Sequence, residues 1–298
     1  MVSVVVNGPA SWNQLVRLAV LPEGGAGTVS AVGHDEQLGG TSAGKAVTLA
    51  ALGVDVLLHT VLGDDEAGDR VRRALDRPHL DLVASPARDG RTERHLNLMA
   101  ADGSRFSIYL ELPQPAGPPP ERVLAAIASA RVAVLDLAEH SRPLLSVARA
   151  AATPIWCDVH DDDGVAEYPR AFADAADVLL VSAARLADPA AYLRERVEAG
   201  CRLAVCTRGA DGALALDAEG WWEVQAAPAE AVVDTNGAGD AFLAGLLAAH
   251  LDGLPTPAAL AVASATGALA VTGPELGAPH ADRAGVDALA ARVAVRRG

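Results

Sequence analysis

An α/β fold, a doubly wound and mainly parallel sheet with helices on both faces and a small β lid, is what this sequence predicts, and three observations predict it. Apolar runs of strand length alternate with Ala-rich helical stretches, the pattern of parallel strands joined by crossover helices. With 298 residues and 51% hydrophobic composition, the chain can bury one large core. Two regions break the alternation with paired extended runs, and these are the lid.

Residues 2–6 follow a start with no basic residue and only a short apolar run, so they read as a first strand and not as a secretion signal. Residues 14–21 and 28–32 read as an antiparallel ribbon, followed by a helix at about 43–52, a strand at 54–60 and a helix at 67–75. A second ribbon is expected from 92–99 and 105–110, turning across Ala101-Asp102-Gly103. Its apolar face carries Leu96, Leu98, Phe106, Ile108 and Leu110, and its polar face His95, Asn97 and Tyr109, which would cover a substrate. Five prolines within residues 113–120 form a linker back to the main domain. Beyond it come helices at 121–130, 142–152, 189–199 and 240–251 and strands at 132–137, 154–158, 178–181 and 203–207. Trp221 and Trp222 belong to a short ribbon and read as packing. The whole reads as one domain, 1–298, with lid strands from about 13–38 and 91–111.

The formal net charge of −14, with no basic run, excludes nucleic acid and anionic membrane surfaces as partners, because nothing offsets phosphate repulsion. No apolar stretch approaches the ~18 residues of a membrane span. A small ligand is the expected partner. Cys157, Cys201 and Cys206 are odd in number and contain no C-x-x-C pair, so they read as reduced, buried thiols of a cytoplasmic protein.

Two glycine loops compete for a phosphate. Gly39, four residues, Gly44 and Lys45 spell a P-loop up to the Ser or Thr that holds magnesium, where Ala46 stands instead. A P-loop also follows a buried parallel strand that aims it, whereas Gly33-His34-Asp35-Glu36-Gln37 precede this one. Lys45, the single lysine among 24 Lys and Arg residues, then reads as a solvated first-turn residue of its helix. Gly39-Gly40 either lets backbone approach a ligand or makes a tight turn.

The stronger signal is Asp234-Thr235-Asn236-Gly237-Ala238-Gly239-Asp240-Ala241-Phe242. Three small residues before a helix that is apolar nearly all round leave free amides at its positive end, an anion hole. A carboxylate beside a phosphate site has its use in accepting a hydroxyl proton as a phosphoryl group transfers, and Asp240 stands there. The bland alternative is a helix-start carboxylate that stabilises the dipole by ~0.3–1 kcal/mol. A dinucleotide fingerprint is excluded, since Phe242 replaces the third glycine far from the first strand.

With Gly245 following, this stretch resembles the carboxy-terminal signature of the ribokinase-like (PfkB) carbohydrate kinase family. Gly39-Gly40 before an Ala-rich helix, Ala51-Leu52-Gly53, and Val61-Leu62-Gly63-Asp64-Asp65 with Gly68 are similar to its amino-terminal pattern. Thr207-Arg208-Gly209 with Gly212 is similar to its nucleotide-loop strand end, and the likeness spans about residues 2–280. The resemblance implies ATP-dependent phosphorylation of a hydroxyl on a sugar, sugar phosphate or nucleoside, with Mg2+, a monovalent cation such as K+ beside Asp234 and Thr235, a lid over the substrate and a homodimer through that lid. It implies Asp240 as catalytic base, with Gly237, Ala238 and Gly239 as its anion hole. It puts Thr207, Gly209, Gly212, Asp234, Thr235 and Ser264 at the cofactor. On the substrate side it puts Asn13, Gly39, Gly40, Gly44, Lys45, His95, Asn97, Tyr109 and Glu139.

The chain departs from that family at three places. Asn13 stands where an Asp is usual, Gly44 where an Asn is usual, and Ser182-Ala183-Ala184-Arg185 replaces Asn-x-x-Glu, so no metal ligand set is read. Arg185 reads as a surface residue, with neutralisation of phosphate charge as its alternative. His160-Asp161-Asp162-Asp163 fails the calcium-loop pattern at Val159 and Arg170 and reads as a solvated acidic loop. Glu139 and His140 fall where strand carboxyl ends line a cleft. Two other functional readings remain beside a carbohydrate kinase: a nucleoside kinase of the same fold, and a non-catalytic ligand-binding relative. A P-loop NTPase is opposed by Ala46 and the missing strand.

Overall fold

Val4, Val5 and Val6 are wholly buried, and alternate residues join different cores: Val4 and Val6 one, Val5 the other. A strand apolar on both sides must lie inside a sheet covered on both faces. The computed structural model describes residues 2–101 and 104–298, so two residues of the expected turn at 101–103 lie outside the described ones.

In chain order the elements are β1 (Val4–Asn7), β2 (Ser11–Leu18), β3 (Gly33–Gly39), α1 (Thr41–Ala51), β4 (Val56–Leu62), α2 (Glu66–Ala74), β5 (Leu80–Pro86), β6 (Arg94–Ala100), β7 (Arg105–Glu111) and α3 (Glu121–Ser129). There follow β8 (Val132–Leu135), α4 (Arg142–Ala150), β9 (Ile155–Asp158), α5 (Glu167–Ala175), β10 (Val178–Ser182), α6 (Pro189–Glu198), β11 (Leu203–Thr207), β12 (Ala213–Asp217), β13 (Gly220–Val224), α7 (Ala238–Leu251), α8 (Thr256–Ala270), α9 (Arg283–Ala290) and β14 (Val295–Arg297).

The main sheet has the order β14-β13-β12-β11-β10-β9-β8-β1-β4-β5, parallel from β11 to β5 and antiparallel from β11 to β14. Residues of α1, α2, α7, α8 and α9 pack on one face, and those of α3, α4, α5 and α6 on the other. The chain leaves β1 for β4 on one side and later returns to β8 on the other. That reversal opens a crevice at the carboxyl ends of β1 and β8.

A second sheet, β3-β2-β6-β7, is the lid. The first ribbon pairs β2 with β3 at 33–39 and not with residues 28–32, a correction to the sequence reading. The reason is that β3 is a lid edge, mostly exposed, and its polar residues are held by side chains, as when Glu36 accepts from the indole of Trp12 at 3.1 Å. Residues 28–32 are exposed and form no strand, and they meet β2 only at their end, where the amide of Val32 donates to the carbonyl of Arg17 at 2.8 Å. The second ribbon forms as expected, His95 opposite Tyr109 and Asn97 opposite Ser107.

Helix α7 is buried from Asp240 to Ala249, and it packs on α8 through Gly245. A Cβ on Gly245 would stand 2.4 Å from Oγ1 of the wholly buried Thr266. Gly245→Val should therefore overpack this contact and lower stability by about 1–3 kcal/mol. A urea unfolding curve should show a lower midpoint with unchanged slope.

Candidate active site

Three strands bring polar side chains to the crevice. Asn7 ends β1, Asp136 directly follows β8, and Asp158 ends β9. Opposite them α1 enters through Gly40, whose φ is 92° and whose Cβ would stand 2.4 Å from the carbonyl oxygen of Pro9. Gly39 is equally confined, with a Cβ placed 2.0 Å from Nδ2 of Asn13. The glycine pair thus makes a tight turn, and Gly40 is also part of the cleft wall.

Lys45 is neither solvated nor on the wall of the cleft. It is 0% exposed, and its Nζ lies 2.7 Å from Oδ1 of Asp240, 3.1 Å from Oδ1 of Asp136 and 3.3 Å from Oδ2 of Asp158. This corrects both the solvated reading and its placement as a substrate contact. The physical reason is that α1 is buried on all sides from Ser42 to Ala50, so a residue there lies inside the protein whatever its charge. The other two carboxylates are anchored as well. Ser42 Oγ donates to Asp136 at 2.6 Å, and the amide of His160 donates to Asp158 at 2.9 Å.

Asp240 lies in the first turn of α7, directly after the anion-hole stretch. Gly237 caps the helix at φ 79°, where a Cβ would come 2.7 Å from the amide of Gly277. Among the described residues no side chain caps α7; the amide of Ala238 makes a long bond to the carbonyl of Thr235 at 3.4 Å, and the first turn is otherwise left to its backbone. A Cβ on Gly239 would meet nothing within 4 Å, which leaves open space before the helix. From the lid, Arg105 donates to Asn236 Oδ1 at 2.9 Å and so latches β7 to this loop.

Burial raises the Asp240 carboxyl to about 6; Lys45 works against that rise, Asp158 adds to it, and His160 works against it. Burial likewise works to raise Asp158, but His160 and Lys45 outweigh it and hold that carboxyl below its usual range. Burial opposes the charge on Lys45, yet Asp136, Asp240 and Asp158 together raise it above ordinary lysine. Asp240 therefore carries a proton affinity suited to a base near neutral pH.

The cleft between lid and sheet has a volume of about 520 Å³. Asn13, Gly40, His95, Asn97, Tyr109 and Glu139 all stand on its wall with Asp240, whereas Gly39, Gly44 and Lys45 do not. Asn13 Oδ1 accepts from the amide of His95 at 3.1 Å, tying the two lid ribbons together, and His95 stacks on Tyr109 with ring centroids 4.1 Å apart. Gly44 lies beneath the wall, since its Cβ would stand 3.0 Å from Asp240 Oδ2.

The expected cofactor residues lie elsewhere. Gly209 and Gly212 hold positive φ in the turn after β11, and Thr207 ends that strand. Asp234 accepts from the amide of Asn236 at 2.8 Å, and the carbonyl of Thr235 accepts from the amide of Ala238 at 3.4 Å. The Ser264 hydroxyl donates to the carbonyl of Gln225 and accepts from the amide of Ala227, both at 2.9 Å. Arg185 is a surface residue paired with Asp163 at 3.0 Å.

Sequence reasoning missed Asp136, Asp158, Glu93 and Arg105 as parts of the site. Glu93 is buried on the cleft wall and paired to His95 Nε2 at 2.8 Å. The two aspartates had a signal, an apolar strand ending in a carboxylate, but that pattern alone fits any parallel strand.

A family model described as "pfkB family carbohydrate kinase" matches residues 15–283. The chain is 33% identical, over 94% of its length and 96% of the other's, to an acarbose 7(IV)-phosphotransferase of Actinoplanes sp.. It is 31% identical, over 78% of its length and 82% of the other's, to an aminoimidazole riboside kinase of Salmonella typhimurium. Among solved structures it is similar to a microbiome-derived acarbose kinase, with a TM-score of 0.84 and 28% identity over 98% of this chain and 99% of that one.

The two glycines that flank Ala238 should respond differently to substitution. Gly237→Val must force a β-branched residue to positive φ against Gly277, a loss of about 1–3 kcal/mol. Gly239→Val has free space and should leave the thermal midpoint within about 2 °C, while blocking anion binding at the helix start. Thermal unfolding with and without a nucleotide measures both.

Proposed function

Because the chain belongs to the pfkB family of carbohydrate kinases, we propose that it transfers the γ-phosphoryl group of ATP to a hydroxyl of a carbohydrate held between lid and sheet, with Asp240 as base. The observation that carries this is Asp240 itself: a cleft-lining carboxylate in the first turn of a helix whose start no side chain caps among the described residues. In this reading Asp240 accepts the hydroxyl proton as the oxygen attacks, and the amides of Ala238 and Gly239 face the charge that develops on the transferred group. Gly237 shapes the loop that presents them.

The phosphates of ATP fit the open space before α7. Magnesium would travel with those phosphates, since among the described residues no group of three or more His, Cys, Asp or Glu side chains could cage a metal. When bound it supplies charge neutralisation for phosphoryl transfer. Arg105, the one Arg or Lys on the cleft wall among the described residues, supplies further positive charge from the lid. A monovalent cation beside Asp234 and Thr235, and a homodimer through the lid, belong to the same reading. The second has its own support, since Phe106, Ile108 and Leu110 are exposed on the outer face of β7.

The wall chemistry narrows the substrate. Glu93, Glu139, Asp161 and Asp240 face the cleft against Arg105 alone among Lys and Arg, which disfavours anionic sugars. The volume of about 520 Å³ falls in the range of pockets for drug-sized ligands. A neutral or cationic carbohydrate larger than a simple monosaccharide fits both facts. Acarbose, named for two similar proteins, heads the list to try, with the riboside named for a third.

Two outcomes are expected. In an ADP-release assay, acarbose and neutral oligosaccharides should exceed sugar phosphates in kcat/KM by ~10-fold or more, like-charge repulsion acting against the latter; preference for a sugar phosphate would overturn the charge argument. Asp240→Asn should lower kcat by about 10²–10⁴-fold with ATP affinity and melting curve little changed, and wild-type kcat/KM should rise with pH through about 6 as Asp240 loses its proton. Undiminished turnover in Asp240→Asn would refute the mechanism.

A further inference from the structure

We propose that Lys45 is a positioning residue for the reaction: bonded to Asp240 from beneath the cleft, its ammonium fixes the orientation of that carboxylate and keeps it ionised in a buried place. The inference rests on the reading of Asp240 as base. Its structural grounds are separate from that reading.

An ammonium group has three donors, and three carboxylates stand within 3.3 Å of Nζ, on α7, after β8 and at the end of β9. Two of them are held from outside the cluster, Asp136 by Ser42 and Asp158 by the amide of His160. Lys45 is therefore pinned from the sheet side, and its shortest bond, 2.7 Å, goes to the one carboxylate that also lines the cleft. On the other oxygen, Gly44 leaves the space that a side chain would take, since a Cβ would crowd Oδ2 at 3.0 Å. Adjacent residues of α1 thus clear one oxygen of Asp240 and hold the other.

The charged groups around Asp240 are Lys45 from α1, Asp136 after β8, Asp158 at the end of β9 and His160 beyond it, whose Nδ1 is 3.4 Å from Asp158. The buried Cys157 thiol is raised by its burial first and by Asp136 and others next, so it stays neutral. Lys45 is the strongest positive influence on Asp240, and without it two carboxylates would face the base. The competing role is purely structural, in which Lys45 only neutralises Asp136 and Asp158.

The single lysine makes a direct test possible in the unmodified protein. With 15N-labelled lysine, the Nζ resonance of Lys45 should show one step between about pH 5 and 7, as its bonded carboxylate takes up a proton, and Asp240→Asn should abolish that step. A step that persists in Asp240→Asn, or no step in the wild type, would overturn the contact. Lys45→Met should move the acid limb of the kcat–pH profile upward by about one unit or more and lower kcat at pH 6.5 by ~3-fold or more, with KM for the carbohydrate within about threefold. Should that variant fail to fold, Lys45→Met/Asp136→Asn removes one of the stranded charges and is expected to show the same displaced limb. An unmoved limb in a folded variant would reduce Lys45 to a structural role. Failure of the wild type to phosphorylate any compound would instead remove the kinase reading, and the lysine titration would still report the contact.

Discussion

One buried ammonium among three carboxylates governs the geometry of this protein. Lys45 and its partners come from α1, α7 and the ends of β8 and β9, so a single contact ties two helices to the centre of the sheet. Charges taken from water at this depth are tolerated only when paired and well bonded, and removal of one partner typically costs about 3–5 kcal/mol. The cluster is formally over-supplied with negative charge. Asp240 lies in the first turn of α7 and Ser42, which bonds Asp136, in the first turn of α1, so positive helix ends lean on the carboxylates from both sides. A lysine suits this place better than any of the chain's many arginines, because a compact point charge can serve three convergent acceptors where a planar fork cannot.

That contact requires backbones to meet. Gly44 carries no side chain over Asp240, a Cβ on Gly277 would stand 2.8 Å from the carbonyl oxygen of Gly44, and a Cβ on Gly237 would stand 2.7 Å from the amide of Gly277. A chain of glycines thus lets α1, the segment near residue 277 and the start of α7 close to the distance at which a lysine side chain can reach the base. Thr48 stitches the same layer, donating to the carbonyl of Gly44 at 2.8 Å and accepting from the amide of Ala278 at 3.0 Å.

The positions of most parallel strands and the late glycine loop were legible because they depend on local pattern. Apolar runs placed β1, β4, β8, β9, β10 and β11 to within a residue or two, with 203–207 coinciding with β11, but the parallel edge strand β5, only partly buried, was missed. Elements governed by their neighbours were not. α8 is a stretch of small and apolar residues with no exposed face and so has little helical periodicity to show, α5 carries Pro169 near its start, and β3 is polar because it is an edge. Lys45 shows the same limit most sharply. Its burial depends on three residues that lie 91, 113 and 195 positions away, by subtraction from 136, 158 and 240, and no window of sequence contains them.

The lid extends the same logic to the substrate side. Alternation along β7 turns Arg105, Ser107 and Tyr109 to the cleft, and Phe106, Ile108 and Leu110 outward. Arg105 is the cleft's Arg on an otherwise acidic wall, and its bond goes to Asn236, one residue before the helix cap that opens the anion hole. Positive charge on the wall therefore sits beside the loop that leads into α7, which in the proposed reaction meets phosphate, while Glu93 and Glu139 line the same cleft. Since the latch is a lid side chain, the arrangement at the phosphate end is complete only when the lid lies over the cleft. In the proposed reaction, one strand of the lid would then both cover the substrate and bring positive charge to the transferred phosphate, which would keep water from Asp240 as it takes the proton.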